Sequence, residues 1–136
     1  MKNKPVLELS DVKKIAAACE QEALANGWAV VICIVDDGGH LLWLQRLDGV
    51  ATVSVKMAES KARTAALGRR ETKIYEDLIN NGRFSFMSAP DLAGMIEGAA
   101  PLMLDGFCVG AVGVSGVESA QDAQIALAGC AVMIAA

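Results

Sequence analysis

The segment WAVVICIVDDGGHLLWLQRLDG, Trp28 to Gly49, decides how the rest of the chain is read. Trp28 to Val35 is rich in β-branched residues and apolar at every position, as a strand covered on both faces requires. Asp36, Asp37, Gly38 and Gly39 supply a turn of the hairpin kind. His40 to Leu47 returns as a second strand, and Gly49 closes the unit. Strands joined this tightly pair antiparallel, because a parallel pair needs a long crossover.

Outward from that hairpin the signals are mostly helical. Ser10 is a good N-cap for a helix starting at Asp11, with Val12, Ile15, Ala16, Cys19 and Leu24 as its apolar stripe and Gly27 as its stop. After the hairpin, a helix is expected from Ala51 to Leu67. Its alanines (Ala58, Ala62, Ala65, Ala66) allow another backbone to come close, and Gly68 ends it. A shorter helix follows over Glu71–Asn80. Arg83 to Glu97 carries no clear period and is broken by Pro90. Pro101–Leu104 and Phe107–Val114 read as a second hairpin around Asp105-Gly106. The last helix, Ala120 to Ile134, is apolar almost all round near its end, which calls for cover from a neighbouring subunit. The order α-ββ-α-α-ββ-α, with a further strand near Glu97, implies an α+β fold: one domain over residues 1–136, an antiparallel sheet with helices packed on it.

Composition bounds the function classes. Of 136 residues, 54% are hydrophobic, above the usual share of about 45–50%, and the mean hydropathy is +0.39. No apolar run reaches the ~18 residues of a membrane span. The surplus therefore points to subunit contacts and a homo-oligomer. A net charge of −4 argues against nucleic acid, which needs a basic face. The N-terminus shows no signal-peptide pattern. Cys19, Cys33, Cys108 and Cys130 are scattered, without a C-x-x-C pair, so buried free thiols in a reducing cytoplasm are expected rather than a zinc site.

Candidate chemistry is sparse. His40 is the only histidine, and no G-x-S-x-G surrounds any serine, so a hydrolase triad has little support. On a regular strand His40, Leu42, Leu44 and Arg46 share one face, with His40 and Arg46 roughly 20 Å apart. Asp48 follows at the same parity, either as part of an extended site or as a local ion pair with Arg46. The loop Ser115-Gly116 leads into a helix whose free N–H groups could receive an anion. Lys61 belongs to a cationic helix with Lys56, Arg63, Arg69 and Arg70, which reads as a solvated face or as a site for ligand carboxylates. His40 itself reads as a cofactor ligand, an acid–base group, or a polar residue at a turn.

VDDGGHLLWLQRLDG (Val35 to Gly49), KARTA (Lys61 to Ala65) with Thr72, and DGFCVGAVGVSG (Asp105 to Gly116) with Gln121-Asp122 resemble the GlcG/HbpS family. That family is labelled haem-degrading or haem-binding and includes the C-terminal domain of some corrinoid adenosyltransferases. The resemblance covers nearly the whole chain. It implies a profilin-like three-layer α/β/α arrangement around a five-stranded antiparallel sheet, and oligomers that are often octamers. For function it implies a cytoplasmic haem- or tetrapyrrole-binding protein used in storage or sensing. The alternative is an enzyme or accessory protein for a small carboxylate of glycolate- or diol-type metabolism, with Arg46 on the anion and His40 or Asp48 moving a proton. A haem pocket would draw on His40, Cys108 or a methionine as axial ligand and on Arg46 or Lys61 for the propionates. The chain departs from the family's glycine-glycine-x-proline at Gly98-Ala99-Ala100-Pro101, and its first helix has no histidine.

Overall fold

A computed structural model describes residues 1–135, with side chains described through residue 133. The Trp28–Gly49 reading holds: β1 (Val31–Asp36) and β2 (Leu41–Arg46) form an antiparallel hairpin. Asp36 organises the turn. Its Oδ1 accepts the N–H groups of Gly38 and His40, both at 2.9 Å. Gly39 takes the left-handed φ of +79° that closes this three-residue loop. A bulge interrupts the pairing between Ile34 and Val35, so Leu41 rather than Leu42 stands opposite Val35. Leu44 and Arg46 do share a face, opposite Cys33 and Val31, but the alternation does not run on to His40.

The first helix, α1 (Leu9–Ala25), begins two residues before the expected Asp11. Glu8 and Asp11 cap it reciprocally, the Glu8 N–H donating to Asp11 Oδ2 at 2.9 Å. Beyond the hairpin lie α2 (Val53–Gly68), α3 (Thr72–Asn80) and a 3-10 turn at Phe84–Ser88. Next come β3 (Ala99–Leu104), β4 (Phe107–Ser115) and α4 (Ser119–Ala135). The expected burial of the last residues, 134–136, lies outside the described side chains.

The sheet order is β2-β1-β4-β3, antiparallel throughout. Among the described residues it has four strands, not five. Where a further strand is expected near Glu97, residues 91–98 run as an irregular strap across α2. Left-handed backbone at Asp91 (φ 62°) and Gly98 (φ 140°) bounds the strap. The Gly94 N–H goes to Thr64 Oγ1 at 3.1 Å instead of to a strand partner.

Strand alternation builds two cores. Val30, Ile32, Ile34, Val112 and Val114 face α1 and α4, joining Ile15, Cys19 and Ile125. Val31, Cys33, Val35 and Ala111 face the α2 alanines Ala58, Ala62, Ala65 and Ala66. Each large aliphatic side chain fully buried in this way contributes about 1.5–3 kcal/mol. The alanine face lets α2 lie almost directly on β4. At Gly113 an added Cβ would stand 2.5 Å from the Ala62 N and closer still to the Ala58 O.

Candidate functional site

The structure sorts the sequence candidates into two ends of the sheet. His40 and Cys108 lie at the end formed by the two hairpin turns; Arg46, Asp48, Ser115 and Gly116 lie at the other, because Val31 pairs with both Arg46 and Ser115. One small acid cannot touch both His40 and Arg46 across that length. Arg46 and Asp48 are exposed and do not pair with each other.

Lys61 is the largest surprise. It is 2% exposed, and its Nζ donates to Val114 O at 3.1 Å and to Asp122 Oδ2 at 3.3 Å. Since α2 covers one face of the sheet and α4 the other, the side chain passes the sheet's end to join the two layers. Gly98 makes the opening: a Cβ there would lie 2.7 Å from Lys61 Nζ and 2.8 Å from Val114 O. Burial pushes the Asp122 carboxyl up, against the pull of the Lys61 ammonium and the Val117 N–H. Lys61 is therefore a strut rather than a cation on a solvated face.

The same node closes the expected anion site at Ser115-Gly116. The Val117 N–H donates to Asp122 Oδ1 at 3.2 Å, and the Glu118 N–H to Gln121 Oε1 at 3.3 Å. The start of α4 is thus capped from within its own first turns. Ser115 is buried at 4% exposure.

The other end is more open. His40 is exposed and lies in the chain between Gly39 and Leu41, which line a groove of about 240 Å³ with Val35, Glu59, Ser60 and Arg63. Arg63 reaches it by lying over the hairpin glycine: a Cβ on Gly39 would meet Arg63 Cγ at 2.9 Å. The sequence offered Arg63 only as one of a cationic cluster on α2; its place at the hairpin turn is set by the packing of α2 against Gly39. Beside this groove the edge strand β2 exposes Leu41, Leu42 and Leu44, at 54%, 37% and 38%.

Cys108 borders a separate cavity of about 350 Å³ with Lys4, Asp37 and Arg69. Its Sγ is engaged by Gly110 O at 3.3 Å, and burial pushes the thiol up. All four cysteines are free; Cys19, Cys33 and Cys108 are buried, and Cys130 is half-buried. Burial pushes Cys19, Cys33 and Cys130 up to about 12. The unfolded chain loses those protons near pH 8.5, where the native protein keeps them. Their contribution is complete below that value and is lost as pH rises toward about 12. Thermal unfolding followed across this range should show the melting temperature falling from about pH 8.5 upward. Native protein at neutral pH should react slowly with a thiol reagent, and denatured protein at once.

The sheet is covered by helices on both faces, with grooves at its hairpin end beside β2 and beside Cys108: a small α+β domain. Residues 7–131 match the family model described as "Haem degrading protein HbpS-like". The chain belongs to this family. It is 51% identical over 115 residues to Protein GlcG of Escherichia coli (strain K12), covering 85% of each chain. Protein ORFY of Klebsiella pneumoniae superposes with a TM-score of 0.92 at 26% identity, over 100% of this chain and 96% of that one. A structure described as the PduOC:Heme complex superposes at 0.85 with 28% identity, over 93% of this chain and 94% of that one. Among the described residues, no helix is long and apolar enough to cross a membrane.

Proposed function

We propose that this protein binds haem or a related tetrapyrrole, in storage or sensing, at the β2 edge beside His40. The observation that carries the reading is the three exposed leucines of the β2 edge, Leu41, Leu42 and Leu44, with exposed His40 just before them in the chain and exposed Arg46 just after. Haem needs that combination: apolar walls, an axial donor, and cations for its propionates. Arg63 offers a second cation, although it is shared with Asp91 at 3.5 Å. The haem complex of a structural relative supports the ligand class.

Size argues for more than one subunit. The groove of about 240 Å³ falls below the ~300–1,000 Å³ of a typical small-molecule site. A second copy of the chain supplies the opposite wall, which is where the apolar surplus of the sequence would be spent. Haem titration of the apo protein tests the reading. The expected result is a shifted Soret band that saturates at a fixed ratio per subunit and is lost in His40→Ala, with the oligomer unchanged by sedimentation. A broad, unsaturable response would sink it, and a band that survives His40→Ala would move the ligand elsewhere.

A further inference from the structure

A different cavity lies between α3, the 3-10 turn and the strap over residues 91–98. It holds about 330 Å³ and is walled by Ile79, Met87, Leu92 and Met95. That volume is within the range of small-molecule sites, and an apolar wall with few polar groups is their usual make-up. Two polar side chains stand at it, Glu76 and Asn80, both from the face of α3 that also presents Ile79. The charge here is unbalanced. Lys73, one turn away on α3, is engaged by Asp77 at 3.2 Å. Arg70 and Arg83 lie over the rings of Tyr75 and Phe86, at 5.2 Å and 5.1 Å. Among the described residues no cation forms an ion pair with Glu76.

We infer that this cleft is a second binding site, for a small organic cation with an apolar tail, of the alkylammonium class. The tail occupies the methionine- and leucine-lined wall. The ammonium is held by the Glu76 carboxylate and donates to the Asn80 amide oxygen. Neither residue belongs to the β2 edge, so the inference stands or falls apart from the haem reading.

Hexylamine, hexanol and hexanoate serve as probes on the full chain, followed by nuclear magnetic resonance of carbon-labelled methionine methyls. Hexylamine is expected to bind saturably and to move the Met87 and Met95 signals. Hexanoate, like-charged with Glu76, should bind at least about tenfold more weakly, the size of a charged hydrogen bond lost. Glu76→Gln, on a half-exposed helix position, should abolish the preference for amine over acid while leaving hexanol binding in place. Failure of hexylamine to saturate, binding that moves neither methyl, equal affinity for hexanoate, or a preference that persists in Glu76→Gln would each overturn the inference.

Discussion

Lys61→Met is expected to cost about 3–5 kcal/mol, because it strands the Asp122 carboxylate in the interior without its cation. Domains of this kind have only about 5–15 kcal/mol in total, so the variant loses a large part of its stability. The melting temperature should fall by roughly 10–20 °C, judged from the usual conversion for domains of this size. The loss is not a measure of what the pair contributes. Replacing both partners at once, as in Lys61→Met with Asp122→Leu, removes the buried charges together and should recover most of it. Denaturant unfolding of the three variants checks the pattern. A double variant no better than Lys61→Met would show that the lysine stem and its passage by Gly98 matter more than the charge.

Gly113→Val is the second large effect. At this position the obstacle is backbone, the Ala58 O and Ala62 N of α2, and not a side chain that can swing away. The helix must lift from the sheet and take the Ala58, Ala62 and Ala65 contacts with it. Overpacking alone costs about 1–3 kcal/mol, and loss of the helix face adds to that, so little folded protein is expected at physiological temperature. Gly27→Ala is the control. It also introduces a Cβ, at φ +70°, but nothing lies within 4 Å of it. Its cost should be only the left-handed backbone penalty, roughly 1–2 kcal/mol. Circular dichroism melts of both variants separate a steric effect from a conformational one.

The two hairpins were legible because their turns are written locally: Asp36 to Gly39 in the first, Asp105-Gly106 in the second. The strap was not. Pro90 announced an interruption, but the strap's path is fixed by Gly94 resting on the backbone of Ser60 and Lys61, a contact that no local pattern contains. A fifth strand was expected for the same reason, since Glu97 precedes a strand without joining one. The site was legible only in part. His40 and the leucines of β2 could be placed from the hairpin, whereas the bulge beside Val35, which breaks their shared face, has no sequence mark. Lys61 was misjudged because charged residues on an amphipathic helix normally face water. Its partner lies 61 residues away, on a helix that covers the opposite side of the sheet.

The passage at Gly98 also has an evolutionary reading. Glycine, lysine and aspartate at 98, 61 and 122 occupy one space, so none of them can drift alone. Adding a side chain at 98 evicts the ammonium, and losing the ammonium strands the carboxylate. Each single step is expected to lower stability before a compensating step can restore it. Sequences that keep this fold are therefore expected to carry the three residues together or to have exchanged them together, which makes the trio a sharper marker of shared ancestry than any one of its members.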